Sequence, residues 1–298
     1  MLLVTGATGH TGRFFVKNLI DNNFQGKIKF LIRKNSNTSF LDNSGLNFEK
    51  VVGDINDCQA LDSIMSGVEE IVHIYNIRQS VDVIKLAIKN NVKKVVCVHT
   101  TGIYSKLKSS KVYQDIEDEI FKIIKSQVIK VVILRPTMIY GDLCDHNIKY
   151  LVKMVDKIPV LPIFNHGNSL IQPINARDLG KACYQVLKAP DEIIKTDYIL
   201  SGDRPITIIE ALKLISKELN KKTIYINFPL WFGVFGAYCL KIMSFNKINL
   251  VEKIQRIGED RSYAHLDAQK DFGFKPEPFE EGIKREIKEY LQTKNFKA

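Results

Sequence analysis

The sequence lacks the cysteine and histidine patterns that usually bind metals or form disulfide frameworks. Its five cysteines are an odd number without a Cys-x-x-Cys pair, and its six histidines show no metal-ligand spacing. Cys97 and Cys183 lie in apolar stretches, where a free thiol is normally buried. We therefore expect reduced cysteines in a cytoplasmic protein, and no metal site.

A run of apolar residues long enough to cross a membrane is also missing. Residues 228–240 form an uncharged apolar segment of thirteen residues, whereas a spanning helix needs about 20. We expect a core helix or a lid over a substrate cleft here. Contact of residues 228–245 with a membrane surface or with a partner is the alternative.

Clusters of basic residues are missing as well, although the chain is basic overall. Lys and Arg number 43 against 33 for Asp and Glu, so the formal net charge is +10. The basic residues are scattered and no zinc-finger or RNA-binding signature is present, which argues against a nucleic-acid partner. The excess charge fits an ordinary basic surface, and it also favours a small anionic or polar ligand such as a dinucleotide or a sugar nucleotide.

The first half of the chain alternates β-rich runs with helical patterns. The runs are rich in Val and Ile and nearly continuous in hydrophobicity, as in strands buried on both faces; they cover residues 2–5, 29–32, 49–52, 70–74, 94–99 and 130–134. Helical patterns lie between them, at residues 11–22, 57–66, 80–90 and 113–126. This alternation predicts an α/β fold with a doubly wound parallel sheet.

The pattern changes after residue 136. Helix-like segments (147–156, 176–188, 207–219, 280–293) mix with short extended pieces (171–174, 198–200, 223–226). We predict a dinucleotide-binding domain over residues 1–140, and a smaller substrate-side lobe over residues 141–298 that interleaves with the sheet, in a monomer or homodimer. Because the first strand begins at residue 2, we expect no leader peptide.

The segment TGATGHTG at residues 5–12 carries the clearest functional signal, because its glycines follow a strand and open a helix. Gly6 would allow a tight turn, Gly9 would let the backbone approach a pyrophosphate, and Gly12 would let the helix pack on the strand. The helix N-terminus would then hold the phosphates of a dinucleotide. The predicted contacts from this loop are Gly6, Ala7, Thr8, Gly9, His10, Thr11 and Gly12.

The end of the second predicted strand indicates which dinucleotide is bound. NAD sites usually have an acidic residue there to bond the ribose 2′-hydroxyl, whereas this strand ends in Arg33 and Lys34. Two cations suit the 2′-phosphate of NADP, and a guanidinium presents a flat fork to it. We predict NADP, with NAD as the alternative. Asp54 and Ile55 follow the third strand, where Asp54 would accept from the adenine amino group or form a simple turn.

Four further segments complete a family resemblance. Together with the glycine loop, residues 99–104 (HTTGIY), 134–141 (LRPTMIYG), 172–179 (QPINARDL) and 267–276 (DAQKDFGFKP) resemble the short-chain dehydrogenase/reductase superfamily. The resemblance is to its extended branch, the NAD-dependent epimerase/dehydratase family, and to related atypical NADP-binding members. It covers almost the whole chain. It implies cofactor contacts from Tyr75, Asn76, Pro136, Thr137 and Thr100.

The catalytic residues that this resemblance implies are only partly present. The family uses a Tyr and a Lys four residues apart, plus a Ser or Thr, and Thr100 matches that last position. If Tyr113 is the catalytic Tyr, Glu117 stands where Lys is needed. In the register that we favour, Tyr113 occupies the Lys position and Ser109 the Tyr position. The pair is broken in both registers, so Tyr104 or Tyr75 would have to replace it.

Three residues near these motifs have two interpretations each. His99 lies on a buried strand and is interpreted as a core residue rather than as a base. Arg256 and Arg261 would either bind a substrate phosphate or form structural ion pairs with Glu259 or Asp260.

The function indicated is an NADP-dependent oxidoreductase or epimerase-like enzyme that acts on a small polar, nucleotide-linked substrate, with hydride transfer as the reaction type. The alternative is a non-catalytic NADP-binding redox sensor or assembly protein, which the loss of the Tyr-Lys pair favours.

Overall fold

The computed structural model describes residues 1–145 and 147–295 of the chain. In the first half it has strands β1 (Leu2–Thr5), β2 (Ile28–Ile32), β3 (Phe48–Val52), β4 (Glu70–His73), β5 (Lys94–Val98), β6 (Lys130–Pro136) and β7 (Ile139–Tyr140). The helices between them are α1 (His10–Asp21), α2 (Ser39–Asp42), α3 (Cys58–Ile64), α4 (Ser80–Lys89) and α5 (Ser110–Ile124). The six predicted strands and four predicted helices are confirmed to within a few residues.

In the second half the strands are β8 (Val160–Phe164), β9 (Leu170–Ile171), β10 (Ile174–Asn175), β11 (Asp197–Leu200), β12 (Ile206–Thr207) and β13 (Ile224–Phe228). The helices are α6 (Ile148–Lys157), α7 (Ala176–Lys188), α8 (Ile208–Glu218), α9 (Leu230–Met243), α10 (Val251–Gln255), α11 (Leu266–Phe272) and α12 (Phe279–Asn295). Patterning predicted α6, α7, α8 and α12, but not the short α10 and α11.

Seven parallel strands form the main sheet in the order β11-β6-β5-β4-β1-β2-β3. The order reverses beside β1, which pairs with β2 on one side and with β4 on the other. In open sheets of this kind, ligands bind beyond the carboxyl ends of the strands at such a switch point. The predicted doubly wound parallel sheet is therefore confirmed.

Helices cover both faces of the sheet, which explains the continuous hydrophobicity of its strands. Phe15 of α1 and Leu179 of α7 are buried against one face. Leu61 of α3, Ile84 of α4 and Ile120 of α5 are buried against the other. Because β11 and α7 come from beyond residue 141, the second half of the chain returns to complete the sheet.

A third core lies away from the sheet, where residues of α6, α8 and α12 pack together. Short strand pairs surround it: β13 with β8, β12 with β9, and β10 with β7. Residues that follow β5 and β6 share a cleft with Ile171, Gln172 and residues 256–263 from the second half of the chain. A division of the chain near residue 140 stays a prediction.

Helix α9 differs from its predicted role. It forms within the uncharged segment, but among its residues only Ala237 is fully buried, and Trp231, Phe235 and Met243 are exposed to 69%, 61% and 78%. None of its residues line the cavities described below. The expectation of a core helix is therefore wrong. Within residues 1–145 and 147–295, no helix combines the length and apolar character needed to cross a membrane.

Candidate functional site

A cavity of about 450 Å³ opens at the carboxyl end of β1, and we call it the glycine-loop cavity. The loop between β1 and α1 forms its floor, and the ends of β2, β3 and β4 form its walls. Most of the predicted cofactor contacts line it: Gly6, Thr8, Gly9, His10, Thr11, Gly12, Arg33, Asp54, Ile55, Tyr75 and Asn76. Ala7 is fully buried behind the loop.

Two glycines allow the backbone of this loop to approach its neighbours closely. Gly6 has φ +79°, and a Cβ there would lie 2.8 Å from the backbone nitrogen of Tyr75. A Cβ on Gly12 would lie 2.0 Å from the carbonyl oxygen of Gly6, so a larger residue would push α1 away from β1. The loop can therefore form only with glycine at these positions, which leaves the N-terminus of α1 facing the cavity.

The N-terminus of α1 has the features of an anion site. Gly9 is its N-cap, no side chain caps it, and no acidic residue lies in its first turn. Nearby, His10 contacts the carbonyl of Gly141 and lies 3.2 Å from Oδ1 of Asp142. The other carboxylate oxygen of Asp142 accepts a hydrogen bond of 2.9 Å from Arg13. Uncapped amides and the helix dipole favour a phosphate group here, so the residues present fit a dinucleotide.

The adenosine side of the cavity is cationic. Arg33 lines the glycine-loop cavity, and both Arg33 and Lys34 line an adjoining recess of about 900 Å³, which we call the cationic recess. Both side chains are exposed. Across the cavity, Asp54 accepts from the backbone and side-chain nitrogens of Asn56, so its carboxylate forms the simple turn that was one of its two interpretations.

The end of β4 is held by a buried histidine. The ring of His73 lies 2.7 Å from the hydroxyl of Thr5, and 2.8 Å from the carbonyl oxygen of Asn76, to which its Nε2 donates. Burial lowers the pKa of His73 to about 4, so the ring is neutral at pH 7. It fixes the turn that presents Tyr75, which is 42% exposed, to the cavity.

A second cavity of about 590 Å³ continues from the first, and we call it the substrate cleft. The two cavities share His99 and Ile139. Three stretches far apart in sequence line the cleft, at residues 99–106, 136–139 and 256–263. Thr100, Tyr104, Pro136 and Thr137 all line it, whereas Tyr113 does not.

Beneath the cleft, α5 contributes Glu117 to a buried charge network. Arg135 donates to both carboxylate oxygens of Glu117 at 2.6–3.1 Å, and His99 lies 3.0 Å from the same carboxylate. The other ring nitrogen of His99 lies 3.0 Å from the hydroxyl of Ser80. His99 is thus a satisfied core residue, as expected.

The network keeps Glu117 ionised. Burial by itself would raise the pKa of its carboxyl, but hydrogen bonds from His99 and Arg135 outweigh burial and lower the pKa. Burial also lowers the pKa of His99, whose ring is therefore neutral at pH 7. An ion pair between Arg135 and a buried carboxylate holds the floor of the cleft in position.

Tyr104 connects this network to the cleft. Its hydroxyl accepts a hydrogen bond of 3.2 Å from Nη1 of Arg135, and its ring packs against that of Tyr263 at a centroid distance of 5.4 Å. Burial raises the pKa of Tyr104, although the charge of Arg135 opposes the shift. The phenol is therefore protonated at neutral pH and is 43% exposed.

Two guanidinium groups line the opposite wall. Arg261 has a buried Nε without a hydrogen-bond partner, and Arg256 donates only a long bond of 3.3 Å to the hydroxyl of Ser109. Within the described residues, neither lies within 4.0 Å of a carboxylate. Glu259 instead accepts from Ser105, and Asp260 from the backbone of Leu170. The interpretation of Arg256 and Arg261 as structural ion pairs is therefore wrong.

Sequence reasoning missed Lys106 and Tyr263, which also line the cleft. Both lie in stretches without a recognisable motif. It also missed the role of Arg135, although the Arg-Pro at the end of β6 was part of the resemblance. A buried arginine implies a buried carboxylate, and Glu117 is its partner.

Comparison with known proteins agrees with this geometry. The sequence matches the NmrA-like family over residues 1–290, which is nearly the whole chain. It is also 24% identical to the UDP-glucose 4-epimerase of Vibrio cholerae over 337 aligned positions, which cover 99% of this chain and 96% of that protein. The expected membership of the extended and atypical short-chain dehydrogenases is confirmed.

Solved structures share the fold at low identity. A double mutant of the dTDP-glucose 4,6-dehydratase DesIV from Streptomyces venezuelae, with NAD bound, superposes with a TM-score of 0.73 at 17% identity, covering 99% of this chain and 98% of that one. The UDP-glucose 4-epimerase of Thermotoga maritima, with UDP-glucose bound, gives a TM-score of 0.73 at 16% identity, covering 98% and 99%. These likenesses show the fold.

Proposed function

Because the chain belongs to the NmrA-like family, we propose that it binds NADP in the glycine-loop cavity and a small anionic, nucleotide-linked substrate in the substrate cleft, as an oxidoreductase. The observation that carries this proposal is the junction of the two cavities at His99 and Ile139. A dinucleotide with its phosphates on α1 would extend its nicotinamide toward that junction, where a substrate could meet it.

The choice of NADP rests on the cationic recess. Arg33 and Lys34 stand at the end of β2, where an NAD site usually has a carboxylate. The recess is large enough for a phosphate group, and both cations are free of carboxylate partners within the described residues. A related dehydratase structure carries NAD, so the preference of this chain needs a direct test.

The substrate class rests on Arg256 and Arg261. Burial and the neighbouring charge of Arg256 lower the pKa of Arg261, which means that its charge is poorly compensated in the protein alone. An anionic group in the cleft would pair with both guanidiniums and satisfy the free Nε of Arg261. The related epimerase bound to UDP-glucose supports a nucleotide sugar as the candidate.

The reaction that the cleft favours is reduction of a carbonyl group. The bound cofactor would supply hydride to the carbonyl carbon, and the carbonyl oxygen would then need a proton. Tyr104 is protonated at neutral pH and can donate that proton, and Arg135 would stabilise the phenolate left behind. Thr100, whose hydroxyl accepts from the backbone of Gly102, would orient the substrate.

The cofactor proposal is tested by titrating NADPH and NADH into the wild type and Arg33→Asp, with Arg78→Asp as the matched control. Arg78 is exposed near the cavity but does not line it. We expect Arg33→Asp to weaken NADPH binding about tenfold or more, or roughly 1.4 kcal/mol, and to spare NADH. Unchanged NADPH affinity in Arg33→Asp would refute the proposed phosphate contact.

The second candidate is a non-catalytic NADP-binding protein. The observation that favours it is the loss of the Tyr-Lys pair: α5 has no lysine four residues after a tyrosine, and its Glu117 pairs with Arg135 beneath the cleft. Turnover of NADPH with nucleotide-linked ketones and aldehydes separates the candidates. An enzyme should lose about 10²-fold or more of its kcat in Tyr104→Phe, whereas tight NADPH binding without consumption would favour the sensor.

A further inference from the structure

Helix α9 and the turn after it expose an apolar surface that the proposed function does not use. We call it the aromatic patch and define it by Trp231, Phe232, Phe235, Tyr238, Ile242, Met243 and Phe245. Phe245 is 87% exposed and Met243 78%. Exposed apolar side chains are ordinary when single, but seven on one short segment mark a surface that contacts something else.

The helix is attached to the smaller lobe along a narrow line. At Gly233, a Cβ would lie 2.5 Å from the ring of Phe164, so the backbone packs directly on β8. Leu230 contacts Gly258, and Ile254 lies near Gly233. The remaining sides of α9 project outward, although its sequence is apolar all round. A helix of that composition is normally covered by protein or by lipid.

Lysines flank the patch in the sequence. Residues 221–255 contain five lysines and a single acidic residue, Glu252, whose carboxylate accepts from the backbone of Ser109. Lys241 lies on α9 itself, and Lys247 and Lys253 follow it. In the described part of the chain, these three lysines form no ion pair within 4.0 Å. An apolar surface bordered by free cations matches a layer of apolar chains capped by anionic head groups.

We propose that α9 is an interfacial helix that docks the protein on an anionic phospholipid surface. The aromatic patch would enter the boundary between head groups and acyl chains, and the lysines would contact lipid phosphates. The helix has 14 residues and is too short to span a bilayer, so it would lie in the plane of the surface. This inference is independent of the proposed function, because no α9 residue lines either cavity.

A second copy of the chain is a poorer match for the patch. Self-association through α9 would bring two sets of unpaired lysines together in a protein whose net charge is already +10. Like charges at an interface oppose association. An anionic surface instead attracts every lysine that lies near it.

The chain contains a built-in probe for this proposal, because Trp231 is its single tryptophan and is 69% exposed. The full-length protein is mixed with vesicles of phosphatidylcholine and phosphatidylglycerol, or of phosphatidylcholine alone. We expect a blue shift of the tryptophan emission and co-sedimentation with the anionic vesicles. Binding to the neutral vesicles should be about tenfold weaker or more, and about 0.5 M salt should reduce the anionic binding.

Variants then separate the apolar and electrostatic contributions. Phe235→Ser with Met243→Ser should abolish sedimentation, and Lys241→Glu with Lys247→Glu should remove the preference for anionic lipid. Leu266→Ser, at a 69% exposed position on α11, is the matched control and should bind like the wild type. NADPH affinity and melting temperature report that each variant is folded.

Two results would overturn the proposal. One is an unchanged emission spectrum and no sedimentation with anionic vesicles in low salt. The other is a blue shift that grows with protein concentration in the absence of vesicles and accompanies a dimer in sedimentation velocity, which would assign the patch to a second copy.

Discussion

The glycine-loop cavity and the substrate cleft meet at two residues but are built in different ways. The first is made mainly of backbone, from one loop and the ends of adjacent parallel strands. The second is made of side chains from segments up to about 160 positions apart, between His99 and Tyr263. The first cavity therefore depends on steric limits of nearby backbone, whereas the second depends on which distant side chains the fold brings together.

Glu117 illustrates the difference, because it lies under the substrate cleft and does not line the glycine-loop cavity. On α5 it forms a buried ion pair with Arg135 and does not present a charged group to the cleft. Substitutions beneath the cleft, in the glycine loop and at the Gly141 loop test this difference.

The largest effect is expected from Glu117→Gln, which leaves the buried guanidinium of Arg135 with the partly exposed carboxylate of Asp197 as its remaining ion-pair partner. Loss of one partner of a buried ion pair costs about 3–5 kcal/mol of unfolding free energy. Denaturant unfolding at pH 7 measures this loss. The matched control is Glu119→Gln on the same helix, which removes an exposed pair with Lys85 and should cost about 1 kcal/mol or less.

The Glu117 effect should also depend on pH. Since the folded-state pKa of this carboxyl lies below its ordinary value of 4.5, its contribution is complete above that value and is lost as pH falls through the lowered pKa. The stability gap between wild type and Glu117→Gln should therefore close in acid. A gap that is constant between neutral and acidic pH would contradict the ionised pair.

Gly9→Val tests the glycine-loop cavity at a position whose backbone φ suits any residue. Gly9 has φ −77°, which any residue can adopt, and a Cβ there meets only the carbonyl oxygen of Gly6 at 3.2 Å. A branched side chain would occupy the space proposed for the pyrophosphate. We expect about 100-fold weaker NADPH binding by calorimetry, or roughly 2.7 kcal/mol, in protein whose melting transition shows that it is folded.

Gly45→Val provides the reference for that experiment. Gly45 has a φ of +70°, so valine there strains the backbone. It lies away from both cavities, so it should lower stability and leave NADPH affinity intact. If Gly9→Val binds NADPH as tightly as the wild type, the dinucleotide does not lie on this loop.

The smallest effect is expected at the loop that joins the two halves of the molecule. Glu286 accepts a hydrogen bond from the backbone nitrogen of Gly141. Burial, and to a smaller extent the charge of Asp145, raises the pKa of Glu286 to about 9. Between pH 4.5 and about 9, Glu286 is ionised in the unfolded chain but protonated in the folded protein. The free energy of unfolding therefore falls as pH rises. Glu286→Gln should remove that dependence.

We expect the melting temperature of Glu286→Gln to exceed that of the wild type at pH 8, by about 2 °C or more, and to match it near pH 4.5. Calorimetry at several pH values measures the difference. Equal melting temperatures across this range would show that Glu286 is ionised in the folded protein at neutral pH.

Much of the fold and the first cavity could be predicted from local patterns. The strands of the main sheet are short Val/Ile runs, and the glycines at residues 6, 9 and 12 follow the first of these runs directly. Each of these patterns spans only a few consecutive residues. The exposure of α9 could not be predicted in the same way. An apolar segment looks the same in sequence whether protein covers it or not.

The sequence alone determined the doubly wound sheet, the glycine loop and the cations at the end of β2, because hydrophobic periodicity and steric limits on the backbone act over short distances. Only the tertiary structure decided which tyrosine faces the cleft, that Glu117 is buried against Arg135, and that Arg256 and Arg261 lack carboxylate partners. Those facts depend on contacts between residues far apart in the chain, and such contacts leave no local pattern.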